Sequence, residues 1–284
     1  MYVIKSIPGA SFVLISPTDM KRTILSLSVT IHSRWQETRK WISQLNLHRD
    51  KSIVEIVGFK LRSLTGKMEF SISAIPILFD GGTVQDYLTK VHTFLQANPN
   101  EVVTFIFTNP EGVSLPNVWD PAFQASGIAQ MAYVPPSIPV KQSAWPTLGQ
   151  LIDSGKRVIV FMDAGADTDR SVPYILPEFP MIWETPFSVT DSTFPCKVDR
   201  ISGPLGTTDH MYMINHSLNK DILGTGIIVS DPLDAPTTNS VTSIMANAAG
   251  CEPLAAGRAP NFVLLDYINI GQGLQAVNQL NQLS

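Results

Sequence analysis

Cysteine and charge are both scarce in this chain. Cys196 and Cys251 are the only cysteines in 284 residues, and Asp, Glu, Lys and Arg together make up 15%. Two cysteines are too few for a disulfide framework or a metal knuckle; they admit two free thiols or one bridge. A formal net charge of -4 argues against general nucleic-acid binding. No uninterrupted apolar stretch reaches the ~18–20 residues of a spanning helix, so no transmembrane segment is expected. The opening MYVIKSIPGASFVLISP is apolar but broken by Lys5, Pro8 and Pro17, which makes it a poor secretory signal. A Gly-x-Gly-x-x-Gly turn after a strand is also missing, so a dinucleotide fold has no support.

What is present is an ordinary globular balance, 44% apolar, long enough for one large domain. The balance is uneven along the chain. Residues 1–77 carry 11 Lys/Arg against 5 Asp/Glu, and residues 78–284 carry 9 against 19. Proline and glycine break at the same place, with 6 before and 33 after. Residues 1–77 are therefore read as an atypical N-terminal segment, and 78–284 as the main domain. Within the first part, SIVEIVGF (52–59) suggests a strand and RWQETRKWISQL (34–45) a helix.

Beyond residue 78 short apolar runs alternate with amphipathic or turn-rich segments. The runs are VVTFIFTN (102–109), RVIVFMDAG (157–165), MIWETPF (181–187), MYMINH (211–216) and FVLLDY (262–267), each strand-length and closing in polar residues. Near-continuous apolar runs are what parallel strands covered on both faces require. Thr83 and Thr147 are expected to cap helices over 84–98 and 148–155, and further helices are expected over 238–250 and 274–283. The stretches 110–146 and 188–210 read as long loops, the kind that carry function. Five strand–helix units predict an α/β fold, either a barrel or an open doubly wound sheet.

The segments FDGGTVQDYLTKVHTFLQANPNEVVTFIF (79–107), SAWPTLGQLIDSGKRVIVFMDAGAD (143–167), VPYILPEFPMIWETPF (172–187), MYMINH and PNFVLLDY (260–267) resemble a fungal branch of the phosphatidylinositol-specific phospholipase C superfamily, the PLC-like phosphodiesterases. The resemblance covers about 79–280 in colinear order. It implies a TIM (β/α)8-type barrel, incomplete or irregular over residues 1–77, acting as a phosphoric diester hydrolase on a lipid-like or inositol-type phosphodiester. It also suggests a secreted or cell-surface setting. Two histidines do the proton work in that superfamily, one in a Gly-Ala-His block and one in a Cys-His-Thr block just before the position of Phe79. Neither block occurs here. The histidines are His32, His48, His92, His210 and His216, and the residues before Phe79 read SISAIPIL. Hydrolysis is therefore expected to be impaired, and the alternative is a catalytically inactive relative or a binding protein. One permitted set of synonymous codons for Phe59–Pro76, read from the third base, spells QTQVTHWQDGVQHLCHT, which ends in the missing motif. Part of residues 1–77 is on this reading a wrong-frame translation, and the codons there decide it.

The site candidates sit at strand ends. Asp266, closing FVLLD, matches the superfamily's acidic residue that orients a catalytic histidine, and is the catalytic candidate. Asn109, Asp163, Glu184, Asn215, His216 and Tyr267 are candidates for contacting substrate. The alternatives are a capping Asp266, a wall-forming Tyr267, a buried His216 satisfied by backbone, and salt bridges or caps for the rest. Carboxylates spread over several strand ends suit a divalent cation, but none has diagnostic ligand spacing. Asn215-His216-Ser217 also spells a glycosylation sequon, at a strand end that makes a poor acceptor.

Overall fold

The computed structural model describes residues 2–5, 11–15, 60–64, 67–71, 80–226 and 228–283, with side chains from Thr83 onward. In chain order the strands are Tyr2–Lys5 (β1), Ser11–Ile15 (β2), Lys60–Leu64 (β3), Lys67–Ser71 (β4), Asp80–Thr83 (β5), Val103–Phe107 (β6) and Val158–Met162 (β7). Then come Ile175–Pro177 (β8), Ile182–Glu184 (β9), Met211–Asn215 (β10), Asn219–Asp221 (β11), Ile228–Ser230 (β12) and Phe262–Asp266 (β13). The fold is mixed α/β. All five apolar runs found in the sequence form strands, and all five strands are buried at every position, as strands covered on both faces must be.

Eight strands make one sheet in the order β8-β7-β6-β1-β2-β13-β10-β9. Every pairing is parallel except those of β2, which runs antiparallel to both β1 and β13. The two outermost strands, β8 and β9, are consecutive in sequence with only residues 178–181 between them. Such a link spans at most about 18 Å, so the two edges lie close and the sheet is strongly curled. Among the described residues no hydrogen-bonded pairing joins β8 to β9. β1 and β2 lie in the centre of the sheet order, so the apolar opening of the chain supplies the two strands that join its halves. A three-stranded antiparallel sheet, β3-β4-β5, precedes the first long helix. The expected strand 52–59 and helix 34–45 lie outside the described residues.

The helices form where the capping signals put them. Thr83 accepts from the Asp86 N–H at 3.1 Å and Asp86 accepts in return from the Thr83 N–H, which starts the helix Val84–Ala97. Its end is closed by Arg157, whose guanidinium donates to the carbonyls of Leu95, Asn98 and Glu101. Thr147 and Gln150 make a second capping box at Leu148–Asp153, and Ser240 caps Val241–Cys251.

Period two splits each strand between two apolar cores. Phe105, Phe107, Val160, Ile214 and Val263 pack with Leu88, Val91, Ile244 and Ala248 of the helices. Their neighbours Ile106, Phe161, Ile182, Met213 and Leu264 pack together on the other, inner face. Cys196 and Cys251 form a disulfide, Cα–Cα 5.3 Å, tying the 188–210 segment to the end of the helix Val241–Cys251.

Candidate functional site

The two-face alternation decides where each strand-end polar residue points. Glu184 follows inward Ile182, Asn215 follows inward Met213, and Asp266 follows inward Leu264, each by two residues, so all three share the inner face. The registers pair Met213 with Glu184 and Asn215 with Leu264. The three residues therefore follow a diagonal over neighbouring strands, with Cα separations of about 8 Å between successive members.

Glu184 is fully buried, and its Oε2 accepts from Arg200 Nη2 and from Asn215 Nδ2, the latter at 3.1 Å. Asn215 also donates to the Thr185 carbonyl, and its backbone N–H donates to the Thr185 hydroxyl. Its Oδ1 is buried and has no hydrogen-bond partner, so the amide keeps an acceptor in reserve. Asp266 is 6% exposed and its Oδ2 accepts from the Ser230 hydroxyl. Tyr267 adopts a left-handed φ of 51°, unusual for an aromatic residue. That turn puts its phenol against Ser230, and burial first and the Asp266 charge second raise the phenol pKa. Asn239 holds the turn by donating from one amide nitrogen to the carbonyls of Asp266, Tyr267 and Ile270. Gly271 faces it so closely that a Cβ there would lie 2.7 Å from Asn239 Cβ.

The remaining candidates go elsewhere. Asn109 is buried and fully engaged: Oδ1 accepts from the Val113 N–H, Nδ2 donates to the Val113 carbonyl, and its backbone N–H donates to Asp163 Oδ1 at 2.7 Å. Asn109 and Asp163 thus link the ends of β6 and β7. His216, one residue past Asn215, points into the helix layer. Its Nδ1 lies 3.2 Å from Asn247 Oδ1, its Nε2 2.8 Å from the Thr238 carbonyl, and the Phe194 ring covers it at 4.1 Å. Burial outweighs these acceptors and lowers its pKa from 6.5 to about 4.

Two polar residues escaped sequence reasoning. Ser230 ends a short, partly exposed strand that no periodicity marks. Arg200 sits in the 188–210 segment, where the long-loop signal was the available clue. It bridges Glu184 by backbone as well, through Glu184 N–H to the Arg200 carbonyl. Among the described residues, no group of three or more His, Cys, Asp or Glu side chains is placed to hold a metal, and no helix is long and apolar enough to cross a membrane.

The class defined so far is an α/β domain with a carboxylate, amide and guanidinium cluster at the C-terminal ends of mostly parallel strands. A family model described as PI-PLC X 1 matches residues 63–281. The chain is 41% identical over 252 residues to the PI-PLC X domain-containing protein 1 of Arthroderma benhamiae, covering 84% of this chain and 80% of that protein. It is 39% identical over 226 residues to an "Uncharacterized secreted protein" of the same fungus, covering 77% of this chain and 50% of that one. No solved structure matches. The chain belongs to the PI-PLC X family, and the match begins 16 residues upstream of Phe79.

Proposed function

We propose that the inner face receives a lipid-like or inositol-type phosphodiester, in a TIM-type barrel whose mouth is the Glu184–Asn215–Asp266 diagonal, and that this chain hydrolyses it poorly. The observation carrying this reading is the convergence of Glu184, Asn215 and Asp266 on one face of a PI-PLC X domain, joined by Arg200, Ser230 and Tyr267. Asn109, Asp163 and His216 hold the walls. The curled sheet with its edges four residues apart supports the barrel. Secretion is part of the proposal and leans on the name of the second fungal relative.

Poor turnover follows from where the described histidines are engaged. His210 places both ring nitrogens against the carbonyls of Gly206 and Phe179, His216 is held in the helix layer, and His92 contacts Gln96 one turn along its own helix. His32 and His48 lie outside the described residues. Loss of a general acid or base costs about 10²–10⁴-fold. The purified chain should turn over phosphatidylinositol vesicles at least about 100-fold more slowly than a relative that retains both histidine blocks. Equal rates would refute this. The reading of part of residues 1–77 as a wrong-frame translation is a separate proposal. It predicts that the transcript's own codons spell the Cys-His-Thr string in the shifted frame, and any other codon set ends it.

A further inference from the structure

We propose that Arg200 is the anion-recognition residue of this pocket and that the Cys196–Cys251 bridge is what positions it. This rests on the reading that the inner face takes a phosphodiester.

A phosphodiester carries one negative charge, and the pocket's own Glu184 and Asp266 oppose it. Arg200 is the guanidinium that touches this cluster; Lys220, nearby in the chain, is already paired with Asp231. The ion pair is asymmetric. The Glu184 side chain is fully buried, while the Arg200 side chain is 24% exposed, so the carboxylate lies beneath and the cation faces outward. Phe179 and Phe187 hold the guanidinium carbon at 5.2 and 4.5 Å from their ring centroids, which fixes the plane of the fork. Nε is buried and has no hydrogen-bond partner. A planar, partly exposed guanidinium fork matches the two free oxygens of a phosphodiester.

Arg200 lies on a segment, 188–210, without a helix or regular strand to hold it. Its anchors are local: the bridge from Cys196 to Cys251, the Asn247 amide donating to the Phe194 carbonyl at 2.8 Å, and the Asp199 and Arg200 backbone pairing with Glu184. Cys196 is four residues from Arg200, a reach of at most about 14 Å. Cys251 is fully buried at the end of a packed helix, so the bridge ties the cation to a rigid element. A dithiol reductant supplies two electrons and two protons, leaving two thiols here and becoming a disulfide itself. The segment then keeps only its noncovalent anchors.

The test is calorimetric binding of two soluble phosphodiesters, glycerophosphoinositol and glycerophosphocholine, to the full chain at two salt concentrations. Arg200→Gln should weaken binding of the better probe at least tenfold and remove most of its salt dependence, and Arg200→Lys should recover part of the loss. Because Arg200→Gln strands a buried carboxylate, the neutral pair Glu184→Gln with Arg200→Gln provides a folded control with the same expected loss. Cys196→Ser with Cys251→Ser, or dithiothreitol treatment, should weaken binding three- to tenfold with near-ultraviolet circular dichroism retained. If the wild-type chain binds a probe and both Arg200→Gln forms bind it equally well, the role of Arg200 is overturned alone. If the disulfide variant binds as wild type does, the positioning role is overturned. If the wild-type chain binds neither probe, the phosphodiester reading fails and this inference fails with it.

Discussion

Asn215 and His216 are consecutive residues with opposite lives. Asn215 faces inward, joins Glu184 and keeps an unpartnered oxygen; His216 faces the helices, with both ring nitrogens at acceptors and Phe194 packed over it. Both are almost completely buried, so burial alone does not tell which face a residue serves. What separates them is the single step along a strand that reverses the face. The helix side is finished, with its polar groups consumed by neighbours, whereas the inner side has donors and acceptors left over.

That contrast can be broken by measurement. The largest effect should come from the covalent tie on the helix side. Closing a loop of 55-residue separation is worth about 4 kcal/mol in the chain-entropy treatment, so Cys196→Ser with Cys251→Ser should lower unfolding free energy by about that amount in urea. His216→Ala should cost about 3 kcal/mol, through a cavity and stranded partners at Asn247 and Thr238, and leave phosphodiester binding unchanged in the folded fraction.

The same histidine gives a pH signature. An unfolded imidazole takes its proton near pH 6.5, the buried one only near 4. Stability from this group is full above pH 6.5 and falls as pH drops through that window, by about 3 kcal/mol. His216→Gln should flatten the loss between pH 6.5 and 4 in denaturant titrations.

Inner-face changes should cost less stability and more binding. Asn215→Ala should destabilise by about 1–2 kcal/mol while weakening glycerophosphoinositol binding by more than that stability loss implies. The smallest effect is expected from Asp266→Asn, which should change turnover less than about threefold if no imidazole works beside it. A hundredfold fall would show that a histidine from outside the described residues reaches this carboxylate, and would collapse the proposal of poor turnover.

Much of the architecture was legible in the sequence. The five apolar runs, the Thr83 and Thr147 caps and the helix before Cys251 all appear where residue chemistry put them. Facing was not legible. A run such as MYMIN or FVLLD is apolar at nearly every position because both sides are covered, so it erases the alternation that would have marked Asn215 as inward and His216 as outward. The opening run has the look of a broken targeting signal, yet YVIK and SFVLI form the strands that join the halves of the sheet. Arg200 was invisible for a different reason: an irregular segment has no period, and only the disulfide and the strand it lies against give it a place.

The buried position of Asn215 bears on biosynthesis. Asn215-His216-Ser217 is an acceptor triplet, but its amide nitrogen already donates to Glu184 and Thr185 and only 2% of the residue is accessible. A sugar transferase could therefore reach it only on the nascent, unfolded polypeptide. If this chain travels through the endoplasmic reticulum, strand formation and sugar addition compete for the same nitrogen. A molecule glycosylated there could not close its sheet, so the modification would mark lost races rather than mature protein.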